Sequence, residues 1–462
     1  MTMTAPARSR YRDDPEALRA LVRDDAVHRD VYVDAEVFEL ERERLWARSW
    51  VYVGHESQVP AAGDCTTLDV AGRPLLMVRD ESGAVRVLMN RCAHKGAKLV
   101  SDGATNVGRF FRCPYHAWAY DLDGAVRAIP LRSGYEGTAL ASSDAARGLS
   151  APAGVAVHRG FVFARLEGEG PSFDDWAGPM RAVIDAIADR SPAGRLRVAG
   201  PPIRSVYRAN WKTYIENIND TVHPPATHQS ANDAAGAVWA DQPPDAPRPM
   251  SMQQLLPFGS GWTFFERMGG RVLPGGHSVL GTQSSIHASY EGLDGYEAAL
   301  VAAHGEARAR EVLAFAPQNA VLYPSVSMKA TPQAIRVIRP LDVDLTMVEA
   351  WAFQPVDAPE LLSRRATTYN RLVFSPMSVL AHDDLHVFET IQQALRADGN
   401  PWVSLARGHV APEADGQTVE VGGTDERLIR NQFRAWAAAM GGRTEEREDG
   451  GMRSLSPQKT GG

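Results

Sequence analysis

Apolar positions along the chain change their period near residue 51. Before it, two stretches read as helices. One lies near residues 15–24, and a second is entered at Asp34, where DAEVFELERERLWARSW places Val37, Leu40 and Leu45 on one stripe. From residue 51 to about 167, short β-rich runs (TTLDVAG, PLLMVRD, VRVLMN, RFFRC, VFARL) alternate with turns such as Glu81-Ser82-Gly83 and Asp123-Gly124. That texture predicts a small antiparallel β domain. A Gly/Pro/Ser stretch at 168–173 leads to a short helix, WAGPMRAVIDAIADR, and beyond Pro201 strands mix with longer helices. YEAALVAAHGEARAREVLAF reads as one amphipathic helix and DLHVFETIQQALRA as another. Residues 1 to about 15 read as a loose tail, and those from about 441 as a frayed, charged, Gly-rich end.

The length of 462 residues predicts two or three domains. Hydrophobic content of 44% with 23% charged residues excludes wholesale disorder. A net charge of -7 without a basic run excludes a nucleic-acid partner held by phosphate contacts. Three cysteines do not make a secreted disulfide scaffold. No apolar h-region occurs in the first 14 residues and no apolar run reaches the length of a spanning helix. No membrane association is expected, and a cytoplasmic location is.

Two cysteines pair with histidines, as Cys92-Ala93-His94 and Cys113-Pro114-Tyr115-His116. Zinc sites more often set a C-x2-C knuckle against an H-x3-5-H pair. One sulfur and one nitrogen ligand per loop is instead the ligand set of a Rieske [2Fe–2S] centre, where two histidines replace two cysteines on one iron. The bland alternative, two buried thiols with unrelated core histidines, needs four residues at ligand spacing by accident. Gly96 and Pro114 suit tight loops, and Tyr115 is placed to donate to a cluster sulfur. Cys65 has no metal-type spacing and reads as a plain thiol.

SWVYVGHESQVPAAGD, NRCAHKGAKLV and FRCPYHAWAYDLDG together resemble the Rieske non-haem iron aromatic-ring-hydroxylating oxygenases, large (α) subunit. The resemblance implies Cys92 and Cys113 on one iron, with His94 and His116 on the other. Lys95 stands where Arg is commoner, and Ala117 replaces a usual Gly.

A second set lies in NWKTYIENINDTVHPPATHQS. His223 and His228 are five apart, which on a continuous helix turns the two rings about 140° away from each other. Pro224 and Pro225 are expected to end the helix after His223 and let His228 swing back. Two imidazoles and a carboxylate form the facial triad of non-haem Fe(II) oxygenases. Alone, H-x4-H is weak, and helix-capping or surface histidines explain it as well. The family pattern N-W-K…E-N…D-x2-H-x4-H stands here as Asn210, Trp211, Lys212, Glu216, Asn217, Asp220, His223 and His228, with Val222 where Tyr is common. The family's acidic motif is similar to LAHDDLHVFETIQQAL, where Asp384 is the expected third ligand and Asp383 the runner-up.

Asp220, three residues before His223, can accept that ring's outer N–H. The resemblance further implies that Asp220 bonds His116 of a neighbouring subunit as the electron-transfer bridge. It also implies a homotrimer, with or without a small β subunit. The chain has no G-x-G-x-x-G turn, so NAD(P)H is expected to act indirectly through a flavin reductase, a ferredoxin or both.

The implied fold is α+β. A Rieske antiparallel β domain (51–167) is inserted in a catalytic domain (168–462, with helical residues 1–50) whose antiparallel sheet is flanked by helices in helix-grip fashion. The expected function is that of the terminal dioxygenase α subunit. It would use O2 to hydroxylate an aromatic compound, aromatic acids among the options. A Rieske monooxygenase or O/N-demethylase is the alternative. Trp239, Phe258, Trp262, Phe264, Phe265 and Tyr323 fall in the expected pocket segment, as core or as wall. Arg336 and Arg339 read first as strand arginines on a solvated face, and second as clamps for a carboxylate.

Overall fold

A computed structural model describes residues 9–441 apart from 102, 139–147, 244, 288, 331–333, 377, 379, 411–412 and 414–415. The end expected to fray after residue 441 lies outside the described residues, as do the first eight. From Ser9 the tail is not loose. Glu36, in the first turn of the Ala35–Glu41 helix, accepts the backbone N–H groups of Arg10 (3.0 Å), Tyr11 (3.1 Å) and Arg12 (2.8 Å). Burial opposes the Glu36 charge, but Ser9 and these three N–H groups bring its carboxyl down to about 2. Asp34 caps this helix by accepting from Glu36 and Val37, and the helix continues as a wider π turn, Arg42–Trp46.

The β segment forms three small antiparallel sheets. One runs in the order Val85–Met89, Arg73–Arg79, Asp64–Val70, Ala104–Asn106. Another holds Phe110–Arg112, Ala119–Asp121 and Val126–Ala128, and the third joins Gly154–His158, Phe161–Arg165 and Val51–His55. Cys65, Leu76, Val78, Leu88, Phe111, Trp118 and Tyr120 fill the core under the first two. Cys65 is a core thiol, its pKa pushed up to about 12 by burial.

Beyond it lies a nine-stranded antiparallel sheet. Its path is Leu196–Val198, Leu345–Pro355, Ala334–Asp342, Val326–Lys329, Asn319–Leu322, Ser278–Leu280, Gly270–Val272, Val419–Val421, and Ile203–Tyr207 also pairs with the long Leu345–Pro355 strand. The helices Trp211–Ile218, Glu360–Phe374 and Ala381–Ala394 pack against it. The N-terminal segment is sewn to this part: Ala26–His28 pairs with Trp402–Ser404, and buried Glu41 accepts from Trp211, Lys212 and Trp436. The architecture is α+β, as the resemblance implied.

Two helices differ from expectation. The amphipathic run beginning at Tyr296 is two helices, Tyr296–His304 and Glu306–Ala314, broken at Gly305. Gly305 sits at φ +82°, which glycine adopts without strain. The helix before the histidines ends at Ile218, not His223. Pro224 and Pro225 then open a new turn, Pro224–Thr227, because proline at the first helical positions loses no hydrogen bond.

Candidate metal centres

The two Cys/His loops meet at the end of the small β domain. Cys92 and Cys113 are buried, while His116 is exposed at the surface. Gly96, at φ +78°, lets the first loop close with its N–H on the Cys92 carbonyl. The second loop closes through Cys113 and Trp118, with Ala117 held at φ +57°. The rings of His94 and His116 lie 4.6 Å apart, and His94 stacks flat on Trp118.

Burial works against a thiolate at Cys113, but backbone N–H groups of Tyr115 and His116 and the Cys92 thiol lower its pKa from the usual range. Burial, then the charges of His116 and Lys95, keep His94 below its ordinary range, in the neutral form that binds metal. His94 Nδ1 is buried without a partner among the described residues. Paired thiols with N–H donors on a sulfur, paired imidazoles and an orphaned ring nitrogen fit a cluster with sulfur ligands on one iron and nitrogen ligands on the other.

The tyrosine at the sulfur is Tyr120, not Tyr115. Tyr115 sits at the loop tip, 67% exposed, against the His116 ring. Tyr120 comes from the inward face of a strand. Its hydroxyl accepts the Ala93 N–H at 3.1 Å, which leaves its own hydrogen for Cys92 Sγ, also at 3.1 Å.

At the other site, His223, His228 and Asp384 each offer a ligand atom within 4.8 Å of the others. His223 and His228 flank the Pro224–Thr227 turn, and Asp384 stands in the first turn of the Ala381–Ala394 helix. Asp384 Oδ1 is 3.8 Å from His223 Nε2 and 3.4 Å from His228 Nε2. Asp383 faces the other side of His228, 3.4 Å from Nδ1. Asp220 Oδ2 lies 2.8 Å from His223 Nδ1 and accepts two backbone N–H groups. With Nδ1–H turned to a carboxylate, Nε2 of each ring presents its lone pair; that of His228 faces Asp384, and that of His223 also meets the Asn217 amide at 3.1 Å.

Burial raises the Asp384 carboxyl above its usual range, against the pull of the two histidines and Asn217. A bound cation would reverse that. Asp220 is held low despite burial, chiefly by its hydrogen bond with His223. Two imidazoles and one half-buried carboxylate converging beside open space suit a divalent iron with positions left for other ligands.

A pocket opens beside these three residues. Tyr207, Tyr214, Phe258, Phe265, Tyr369 and Phe374 supply its aromatic wall. Of the expected aromatics only Phe258 and Phe265 line it; Tyr323 is core, Trp262 is exposed, and Trp239 and Phe264 are partly exposed. Arg336 and Arg339 are buried, not solvated. Arg339 pairs with Glu349 and donates to the Tyr52 carbonyl, whereas Arg336 reaches the pocket together with Lys329.

Sequence reasoning passed over Lys329, Tyr120 and Arg407, whose guanidinium holds Asp220 Oδ1 at 3.0 Å. Asn217 was named only as a motif residue. Its amide lies 3.1 Å from His223 Nε2 and donates to Asp384 at 3.2 Å.

Residues 49–141 match the Rieske [2Fe-2S] domain, and residues 173–442 match the ring hydroxylating alpha subunit (catalytic domain). The biphenyl dioxygenase subunit alpha of Paraburkholderia xenovorans (strain LB400) is 30% identical over 398 residues, 83% of each chain. The N,N-dimethyl phenylurea N-demethylase subunit alpha of Sphingobium sp. (strain YBL2) is 27% identical over 397 residues, 80% of each. Among solved structures, naphthalene 1,2-dioxygenase with indole bound has a similar fold, with a TM-score of 0.73 and 24% identity over 91% of this chain and 94% of that one.

Proposed function

This chain belongs to the ring-hydroxylating alpha subunits, and we propose that it is the terminal dioxygenase component in which His223, His228 and Asp384 hold the mononuclear iron. It is a Rieske non-haem iron oxygenase, an oxidoreductase with a [2Fe–2S] domain and a catalytic domain for one further iron. Cys92, His94, Cys113 and His116 are the proposed cluster ligands. When bound there, the cluster would supply single electrons drawn from a ferredoxin or reductase, and the iron would supply a centre for dioxygen chemistry.

The chain's own residues then have separable tasks. Asp220 and Asp383 orient the two imidazoles, and Asn217 steadies His223 and Asp384. The aromatic wall holds the substrate ring beside the ligands and keeps water out. The observation that carries the reading is the convergence of three donors at the edge of that wall.

We also take Asp220 as the bridge to His116 of the partner subunit, within a homotrimer. Asp220 lines an open groove with Glu216, Val387 and Arg407, and His116 is exposed. Both features support docking between copies. Residues 1–50 and 168–462 are proposed as one catalytic unit around a 51–167 Rieske unit, and the strand pairing of Ala26–His28 with Trp402–Ser404 supports it. Cys65, Cys92 and Cys113 form no disulfide, which suits a reducing cytoplasm. No described helix is long and apolar enough to cross a membrane.

The test is a single turnover of reduced protein with aromatic acids, arenes and aryl ethers under isotopically labelled dioxygen. Two labelled oxygens in one product support the dioxygenase. One labelled oxygen, or a lost alkyl group, replaces it with monooxygenation. In Asp220→Asn, iron content of about three per chain should persist while turnover falls by at least tenfold. Full turnover there would remove the bridge.

A further inference from the structure

We propose that the pocket contains an oxyanion subsite, in which Lys329 and Arg336 hold a carboxylate or sulfonate carried by the aromatic substrate. The proposal rests on the oxygenase reading above and narrows its substrate class.

Strand register puts the two cations on one face. Ser327 pairs with Arg336 across Val326–Lys329 and Ala334–Asp342, and Lys329 pairs with Ala334. Arg336 also sits opposite Ala350, so side chains of alternate residues share the pocket face with Val348, Ala350 and Ile203.

Both cations are buried, Lys329 at 2% exposure and Arg336 at 8%. Neither has a carboxylate within ion-pair distance among the described residues. Arg336 meets neutral groups only, donating to Asn319 Oδ1 and Ser327 Oγ with the Tyr214 hydroxyl beside it, and stands over the Phe374 ring. Lys329 makes no hydrogen bond to a described residue, and its ammonium lies 5.1 Å from the centre of the Tyr369 ring.

Other deeply buried cations each have a partner: Lys212 is paired with Glu41 at 2.5 Å and Arg430 with Glu413 at 2.7 Å, while Arg190, like Arg336, is held by neutral acceptors, the carbonyls of Ala186 and Val312. Among these described cations Lys329 is the one with neither a carboxylate nor a hydrogen bond. An unpaired ammonium in a dry site is costly, and a second cation beside it adds repulsion. That cost is relieved by an anion arriving in the one place both side chains face, the pocket. Burial, then the Arg336 charge, push the Lys329 amine well below the usual lysine range, and an anion arriving beside it favours the protonated form again. The same pocket borders His223, His228 and Asp384, so an anion fixed at the cations orients the ring that carries it.

Calorimetric titration of the iron-loaded protein without oxygen tests this with benzoate, benzenesulfonate and the neutral isostere benzamide. The expected result is at least tenfold tighter binding of one or both anions than of benzamide. The ranking of the two anions identifies the preferred oxyanion. Lys329→Met should abolish the preference and Lys329→Arg should keep most of it. The subsite is overturned if benzamide binds as well as both anions, if neither anion binds at millimolar concentration, or if the preference survives in Lys329→Met. Labelled-oxygen incorporation from a neutral arene with no anion preference removes the subsite and leaves the oxygenase. Anion-selective binding lost in Lys329→Met, without labelled product from any aromatic, supports the subsite and removes the oxygenase.

Discussion

Lys212→Met is the perturbation whose cost the structure sets most directly. Glu41 and Lys212 sit 2.5 Å apart with side chains 0% and 3% exposed. The indole N–H groups of Trp211 (2.8 Å) and Trp436 (2.6 Å) donate to the same carboxylate. At an effective dielectric of about 20 the pair attracts by roughly 7 kcal/mol. Desolvation costs several kcal/mol per ion, so the intact pair is close to neutral while either half alone is not.

Lys212→Met strands a fully buried carboxylate and should cost about 3–5 kcal/mol. Glu41→Gln should cost less. Burial already lowers the Lys212 ammonium against the pull of Glu41, so without its partner the lysine can shed its proton. Removing both charges in Glu41→Leu with Lys212→Met leaves only two indole N–H groups unpaired, at about 1 kcal/mol each. The double variant should therefore be more stable than Lys212→Met alone. Urea unfolding followed by tryptophan fluorescence measures this, with Trp211 and Trp436 at the site among the ten tryptophans that report. At about 2.1 cal/mol/K per residue, the Lys212→Met melting point should fall by roughly 3–5 °C. A Lys212→Met cost under about 1 kcal/mol, or a double variant as unstable as the two single costs added, would refute the reasoning.

Asp383→Ala leaves His228 Nδ1 without its carboxylate and should weaken iron retention about 10–100-fold by chelator competition, with the cluster's visible absorbance unchanged. Ala117→Gly should stabilise the β domain by about 1 kcal/mol and raise its thermal midpoint, since Ala117 lies at φ +57°; calorimetry on the oxidised protein checks it. Glu216, half-buried against the Tyr32 hydroxyl, is raised to about 8 by desolvation, more than Tyr32 and Lys212 lower it. Below about 4.5 both states keep the proton. Between there and 8 only the folded state does, so its contribution to stability falls as pH rises and then levels off. Glu216→Gln should match the wild type near pH 5 and exceed it by on the order of 2 kcal/mol at pH 9, measured by urea unfolding.

Features written in adjacent residues were legible from the chain alone. C-x-H and C-x2-H fix ligand type within each loop, and Asp34 announces its helix because its side chain caps the first turn. Errors arose where a local rule has two outcomes. Proline after His223 can end a helix or begin one, and the early stop at Ile218 decided for the second. Gly305 can sit inside an amphipathic helix or break it, and its φ of +82° breaks it. Asp383 and Asp384 are neighbours in one helical turn. Their division of labour, one to each side of the His228 ring, depends on a contact spanning some 155 residues of chain.

The pocket cations were hidden by a different ambiguity. A polar face alternating with an apolar one normally means solvent, which is why strand arginines read as exposed. Here both faces of Ala334–Arg339 are buried, because the Glu360–Phe374 helix covers the sheet where the alternation would otherwise meet water. Lys329, Ser327, Asn319 and Arg336 thus form a polar face under a roof. Asn319 and Ser327 are accounted for as acceptors for Arg336, and Arg336 in turn by them, which leaves Lys329 as the member with no hydrogen bond among described residues. Covered polar faces of sheets are the sequence signal worth adding. Once a strand is known to be roofed by a helix, each polar residue on its inner face needs a partner, and one without a partner in the chain points to a partner outside it.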